Sequence, residues 1–422
     1  MANTALAKPK KKRNYAVDFW RFFATLAVFW GHYQLNYRFT FMEEGSWNAD
    51  GILFTEGNIL GVFLIFTGFF MMKSYMSKKR RGLTDKPART QAVDYLKSRY
   101  LGLWPALFLG VLIGFIVNVF CEYDGHSMGN LVYMNGESFG GISDVIYNFL
   151  SSILQFAGLD ATGILGQLGI SFMWNVPLWY ISAIFVGGYF LYYLLAKNED
   201  VFTGFIAPFI VVSFAAVWCL SETLEMNDRH VLFCGLIENA LAFGVWGMCI
   251  GVVCYKPYER LRTMVLTAKT KSIFTVVHLF FFCCLIYWQV FGNTWRGTDE
   301  MFIDIWAVIT CAFAIANQDY LTQKVLNHKI FSTLGEYSLY FFICHMPILE
   351  LFNQYYPMVP TASDYYASLA MAFGITAVAG VIAMFICKKG IQPLLYKLDA
   401  NIQAATKRGE QAAENATVKQ AA

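Results

Sequence analysis

Long apolar runs separated by short charged segments dominate the chain. A run of about 20 apolar residues can cross a bilayer as a helix. The pattern predicts about ten such helices, at 16–36, 57–76, 99–120, 176–196, 202–220, 233–254, 272–291, 301–317, 332–352 and 366–388. We therefore predict an all-α integral membrane protein, built as a bundle of transmembrane helices.

Three segments are expected to lie outside this transmembrane bundle. A basic N-terminus, 1–15, precedes the transmembrane domain of 16–388. Within that domain, 121–175 is predicted to be an outer segment, and its moderately amphipathic stretch 142–157 is expected to be interfacial or re-entrant. The polar, Ala- and Gln-rich tail, 389–422, is expected to be loosely ordered in the cytoplasm.

Basic residues predict the orientation of the helices. With both termini in the cytoplasm, 27 of the 32 Lys and Arg fall in inner segments, and three, Arg38, Arg229 and Arg296, fall in outer loops. Cytoplasmic loops carry such an excess of Lys and Arg. We therefore predict a multi-pass protein of the cell (plasma or inner) membrane. No small-residue cleavage site follows the basic start, so the first helix is expected to remain as a signal-anchor.

Composition excludes a soluble domain, because 57% of residues are hydrophobic and 14% are charged, against about 25% charged in soluble domains. The sequence has no phosphate-binding loop, dinucleotide fingerprint or nucleic-acid module, so no nucleic-acid partner is predicted. Its ten cysteines lack metal-binding spacing, and no metal site is predicted. Cys219 and Cys234 flank one predicted outer loop, and a disulfide between them is left open.

The first predicted helix carries Asp18, Arg21 and His32, which a plain membrane anchor does not need. Arg21 and His32 are eleven residues apart, so they project from nearly the same face about 16 Å apart. Asp18 lies one turn before Arg21, close enough to pair with it. Ionisable groups inside a membrane segment are functional candidates. The alternatives are a His32 that only packs between helices, and an Arg21 that snorkels to the interface or is neutralised by Asp18.

Other charges in the predicted helices are distributed by sign. Arg21 and Lys73 lie in inner halves, whereas Glu238, Asp304 and Glu350 lie toward outer ends. This polarity suits an anionic ligand from the cytoplasm and a hydroxyl-rich acceptor from outside. For Asp304 and Glu350, ordinary helix-end positions at the interface are the simpler interpretation.

Three further groups are candidates by position. Arg99 begins the third helix, as a phosphate ligand or a positive-inside anchor. Trp179 and Tyr180 begin the fourth helix, where aromatic residues commonly form an interface belt. His345 lies in the outer half of the ninth helix, and either faces the same cavity as His32 or merely packs.

Five stretches in chain order combine into one pattern. They are the D-x-x-R of Asp18 and Arg21 with His32 following, then GVFLIFTGFFM (61–71), YLKSRYLGLWP (95–105), PLWYIS (177–182) and LGEYSLYFFICHMPI (334–348). Together they resemble the acyltransferase-3 family of membrane proteins, over about 14 to 388. Gly102 stands where the family commonly has the second Arg of Arg-x-x-Arg, and Ala183-Ile184-Phe185 lacks the Glu of many members. The chain is thus nearer the WYIS-type subgroup of polysaccharide O-acyltransferase-like proteins.

The resemblance implies transfer of an acyl group, usually acetyl, from cytoplasmic acyl-coenzyme A to a hydroxyl of an extracytoplasmic or lipid-linked glycan. It implies acyl-coenzyme A as a donor substrate rather than a permanently bound cofactor. His32 is then the catalytic residue, as a general base or a transient acyl carrier. Arg21 and Arg99 are expected to bind acyl-coenzyme A. The supporting residues are expected to be Asp18, Glu238, Trp179, Tyr180 and His345.

Two other classes of protein stay open on sequence alone. A transporter or flippase for a glycan or small anion would also have about ten helices with embedded charges, although no internal repeat is visible. A structural or sensory membrane protein with a degenerate site would tolerate Gly102. Release of thiol from acyl-coenzyme A distinguishes the enzyme from both. The acceptor, the acyl chain and any homo-oligomer are left open; membrane lipids are partners in every case.

Overall fold

Helices account for nearly all of the secondary structure in the computed structural model. It describes residues 13–36, 38–39, 58–120, 150, 152–162, 174–221, 224, 231–291, 297–355, 358–359 and 361–421. Most of the predicted outer segment 121–175, including 142–149 of the amphipathic stretch, lies outside the described residues. Residues 152–157 of that stretch are helical.

Twelve labelled helices follow in chain order within these ranges. They are α1 Tyr15–Asn36, α2 Gly61–Lys79, α3 Ala88–Phe120, α4 Trp179–Lys197, α5 Glu199–Leu220, α6 Asn239–Val253, α7 Tyr255–Thr263, α8 Ala268–Phe291, α9 Gly297–Ala316, α10 Ile330–Tyr355, α11 Ala362–Phe385 and α12 Gln392–Ala421. Short 3₁₀ turns occur at Asn58–Leu60, Asp160–Thr162 and Val176–Leu178. π-helical turns occur at Phe202–Ile206 within α5, and at Thr322–Leu326 and Ile386–Ile391.

Each of the predicted spans overlaps one of these helices, although several bounds differ. The third begins at Ala88, eleven residues before the predicted start at Arg99, because the helix extends through the polar stretch that follows Pro87. Within the described residues, six helices are long and apolar enough to cross a membrane. The protein is thus an all-α membrane protein, and the number of about ten spans stays a prediction.

Two predictions about local structure are wrong. Glu238 does not lie inside the sixth helix: it ends the strand β3 (Ile237–Glu238), which pairs antiparallel with β2 (Leu232–Phe233) before α6 begins. The left-handed Cys234 and Gly235 turn the chain between these strands, which breaks the apolar run into a hairpin. The tail after Lys389 is helical rather than loosely ordered, since α12 continues to Ala421.

The Cys219–Cys234 disulfide that the sequence left open is not formed. Cys234 is an exposed free thiol in the turn between β2 and β3. A second small sheet pairs β1 (Arg38–Phe39) in parallel with β4 (Met358–Val359). It joins the chain after α1 to the chain after α10, so these two helices are tied at the same end.

The most extensive packing brings α1 against α10, α2 against α6, α3 against α4 and α10 against α11. α1 and α10 run in the same direction, because Asp18 meets Gly335 near their N-termini and His32 meets His345 further along. This is the relation that a first and a ninth span must have. Gly335 allows the approach, since a Cβ there would lie 2.6 Å from the Cβ of Asp18.

Candidate active site

His32 and His345 form a pair in the interior of the bundle. His32 Nδ1 lies 2.8 Å from His345 Nε2, and the two rings meet edge to edge, with centroids 5.0 Å apart and planes within 23° of each other. His345 is 1% exposed, and its Nδ1 contacts the backbone carbonyl oxygen of Phe342 one turn earlier in α10. The structure therefore brings His345 to His32, which the sequence left open against simple packing.

A proline shapes α10 beside this pair. Pro347 has no N–H to donate, so the carbonyl of Ile343 loses its usual partner within the helix. The side-chain amide of Asn175 replaces it, donating from Nδ2 to the Ile343 oxygen at 2.8 Å and to the Gly110 oxygen at 3.1 Å. Asn175 thus ties α3 and α10 to the start of α4, next to the histidine pair.

A cavity of about 410 Å³ lies at the end of the bundle that holds the N-terminus of α1. Four cationic side chains line it: Arg13, Arg21, Arg99 and Lys388. Two carboxylates accompany them. Asp18 pairs with Arg13 and Arg21, and Glu336 pairs with Lys388 at 2.5 Å. The four cations outnumber the two carboxylates, and this excess of positive charge favours an anionic ligand.

Arg21 faces this cavity rather than lipid. Its side chain lines the cavity, is 37% exposed, and holds its guanidinium 3.8 Å from Asp18. The predicted pairing of Asp18 and Arg21 is present, but Arg13 holds Asp18 more closely, with two hydrogen bonds of 2.8 and 3.0 Å. Because Arg13 takes most of the carboxylate, Arg21 keeps its fork of donors available to a ligand.

Arg99 and Gly102 line the same cavity from α3, one turn apart. Arg99 lies over the ring of Tyr95, with its guanidinium carbon 5.3 Å from the ring centroid. A Cβ at Gly102 would meet nothing within 4 Å, so packing does not require glycine there. Gly102 leaves the wall of the cavity open, while Lys388 and Arg13 bring positive charge from other elements.

An aromatic layer closes the deep end of the cavity. Phe63, Tyr180 and Phe342 all line it, with ring centroids between 5.0 and 6.2 Å apart. The ring of Phe342 also lies 5.0 Å from the ring of His345. The histidine pair therefore lies just beyond this layer, one turn further along α10.

The predicted acceptor-side residues do not form one group. Tyr180 lines the basic cavity, whereas Trp179 packs against Phe243, with centroids 6.2 Å apart. Both are buried, so the aromatic-belt interpretation is wrong for them. Glu238 is 5% exposed.

Asp304 and Glu350 are buried as well. These three carboxylates, Glu238, Asp304 and Glu350, lie outside the lining of the basic cavity, whereas Asp18 and Glu336 pair with its cations. Burial raises the pKa of a further carboxyl, that of Asp160, to about 7. The charge of Glu238 contributes to this rise, whereas a hydrogen bond with Ser182 lowers the pKa.

Three charged residues of the cavity were not predicted from the sequence. Arg13 and Lys388 fall in predicted inner segments, where they counted as ordinary topology signals. Glu336 belongs to the first two turns of α10, and was not considered. For two of them the sequence holds a clue, which is their position at the motifs. Arg13 precedes Asp18 by five residues, and Glu336 lies inside LGEYSLYFFICHMPI.

The fold and this site define a class: a helical membrane protein in which an aromatic layer separates a basic cavity from a histidine pair. A family model described as an acyltransferase domain matches residues 14–388. The chain belongs to the acyltransferase-3 family. No curated protein and no solved structure matches the chain.

Proposed function

We propose that this protein transfers an acyl group, acetyl in the first instance, from cytoplasmic acyl-coenzyme A to a hydroxyl of an extracytoplasmic or lipid-linked glycan. One observation supports the proposal most strongly: a basic cavity and a histidine pair lie on opposite sides of the same aromatic layer. Four cations surround a cavity on one side of the layer, and a histidine pair lies on the other. A phosphorylated donor with a reactive thioester at its far end matches this order.

The cavity supports a role in binding the donor. Coenzyme A carries phosphates that Arg21, Arg99, Arg13 and Lys388 would neutralise, and arginine forks match phosphate oxygens. The volume of about 410 Å³ suits part of such a ligand, with the remainder outside the mouth. In this arrangement the thioester points toward Phe63, Tyr180 and Phe342, and reaches His32 when that layer opens.

His32 supports the chemical step. As a general base it takes the proton of the acceptor hydroxyl, whose oxygen attacks the thioester carbon. The C–O ester bond forms, the C–S bond breaks, and the proton finally passes to the thiolate of coenzyme A. Glu238 and Trp179 remain candidates for orienting the acceptor.

The test of the reaction is release of free thiol from acetyl-coenzyme A by purified protein in nanodiscs, with a cell-envelope glycan extract as acceptor. We expect acceptor-dependent release by the wild type and a loss of at least 100-fold in His32→Ala, because a general base contributes about 10²–10⁴ in rate. The folded state of His32→Ala is checked by its thermal midpoint. Thiol release that persists in a folded His32→Ala protein would remove His32 from the mechanism.

The test of the donor site is binding of coenzyme A to the same protein. Arg21→Ala and Arg99→Ala should each weaken affinity about 10-fold or more, since a hydrogen bond to a charged group is worth about 1.5–3 kcal/mol. Arg408→Ala is the matched control, because Arg408 is exposed on α12 far beyond the cavity. Equal affinity in all four proteins would place the donor elsewhere.

A further inference from the structure

Two contacts of His345 determine which of its nitrogens carries hydrogen. Its Nδ1 meets the carbonyl oxygen of Phe342, and its Nε2 meets Nδ1 of His32. A carbonyl oxygen only accepts, so Nδ1 of His345 must be the donor in the first contact. A neutral imidazole has one N–H, and Nε2 of His345 therefore carries a lone pair.

The same reasoning extends to His32. Because Nε2 of His345 is an acceptor, the 2.8 Å contact requires a hydrogen on Nδ1 of His32. The lone pair of His32 then lies on Nε2. The opposite assignment needs a cationic His345 at 1% exposure inside the bundle, which costs several kcal/mol unless it is compensated.

We infer that His345 is a positioning residue that fixes the tautomer of His32, so that Nε2 of His32 is the basic atom of the site. Two hydrogen bonds connect the Phe342 carbonyl, His345 and His32 into a chain of neutral groups, which we call the relay. The inference rests on the proposed function for its catalytic consequence, while the tautomer itself is a property of the resting protein.

The relay also holds the His32 ring. The rings of His32 and His345 lie within 23° of one plane, which suits a hydrogen bond between their edges, and His345 is fixed in turn within the α10 segment that Pro347 and Asn175 shape. When Nε2 accepts the hydroxyl proton, His32 becomes an imidazolium whose Nδ1–H still donates to His345. The proton on Nδ1 can then shift to His345 Nε2, which spreads the charge, and the ring has no need to rotate.

The tautomer is measured directly by ¹⁵N NMR of histidine-labelled protein without substrate. The chain has six histidines, and His32→Ala identifies the signals of His32 by their loss. We expect a proton on Nδ1 and none on Nε2 of His32. A proton on His32 Nε2 in the resting protein would overturn the inference, whether or not the protein proves to be an acyltransferase.

The catalytic consequence is measured with two substitutions of one residue. His345→Gln keeps an acceptor oxygen for His32 Nδ1, whereas His345→Leu removes it. We expect kcat for thiol release to fall about 10- to 100-fold in His345→Leu and to recover to within about tenfold of wild type in His345→Gln. KM for acetyl-coenzyme A should change little in either variant.

His328→Gln is the control, because His328 is exposed outside the cavity and should keep wild-type kinetics. If His345 only supports packing, the Gln and Leu variants should lose activity together, with lower thermal midpoints and no rescue by Gln. If wild-type protein releases no thiol from any acyl donor, the proposed function fails, and the NMR result still decides the tautomer.

Discussion

At the scale of single residues, what distinguishes this site is the way charges share partners. Asp18 accepts two hydrogen bonds from Arg13 and forms a longer ion pair, of 3.8 Å, with Arg21. The hydrogen bond with Asp18 raises the pKa of Arg13, so Arg13 stays cationic. Arg13 therefore acts as a local counter-charge, which leaves Arg21 the more available of the two cations for a ligand.

A second residue-scale feature gives a pH dependence. Burial raises the pKa of Asp160 to about 7, against about 3.9 in an unfolded chain. Between these values the folded protein holds a proton that the unfolded chain has lost. The unfolding free energy should therefore fall as pH rises from about 4 to 7 and level off above 7.

Asp160→Asn should remove this dependence and raise stability above pH 7. The gain in unfolding free energy is limited to about 1.4 kcal/mol for each pH unit that separates the folded and unfolded pKa values of Asp160. Thermal midpoints in detergent between pH 5 and 8 measure it, with the exposed Asp85→Asn as control. Parallel curves for wild type and Asp160→Asn would mean that Asp160 does not hold the proton.

At the scale of elements, close contact between helix backbones holds the bundle. A Cβ at Gly251 in α6 would lie 2.0 Å from the Ile65 carbonyl oxygen, and one at Gly68 in α2 would lie 1.9 Å from the Met248 oxygen. Small residues at such positions let membrane helices approach closely. α2 carries Phe63 of the aromatic layer, so its seating against α6 also positions the site.

Gly251→Ala should push α2 and α6 apart, because the clashing atoms are backbone and cannot rotate away. We expect a destabilisation of about 1–3 kcal/mol, typical of overpacking. Gly374→Ala in α11 is the control, since a Cβ there meets nothing within 4 Å and alanine favours helix. Thermal melts that place the two variants together would contradict this account of the α2–α6 contact.

The sequence predicted the helices better than the contacts between them. Apolar runs located the helices, and the eleven-residue spacing predicted that Arg21 and His32 project from nearly the same face of α1. The hairpin at Glu238 was not predicted, because an apolar run interrupted by a single glycine has the same composition as a membrane helix. The pairing of His32 with His345 spans 313 residues, so it depends on how α1 and α10 pack, which local spacing does not encode.

At the scale of the whole molecule, the cations of the site lie at one end of the helix bundle. The cations gather around the cavity near the start of α1, and the buried carboxylates Glu238 and Asp304 lie away from its lining. A donor that enters at the basic end and an acceptor that enters from the other end would meet at the histidine pair. A reaction of this kind uses both faces of one membrane.

Sealed membrane vesicles of both orientations test that claim most directly. Acetyl-coenzyme A labelled in its acetyl group does not cross membranes, so adding it outside vesicles that contain the protein and the cell's own glycans supplies one face. We predict label in the glycan fraction of inside-out vesicles with wild-type protein, and none in right-side-out vesicles or with His32→Ala. Equal labelling in both orientations, or undiminished labelling with His32→Ala, would contradict the account.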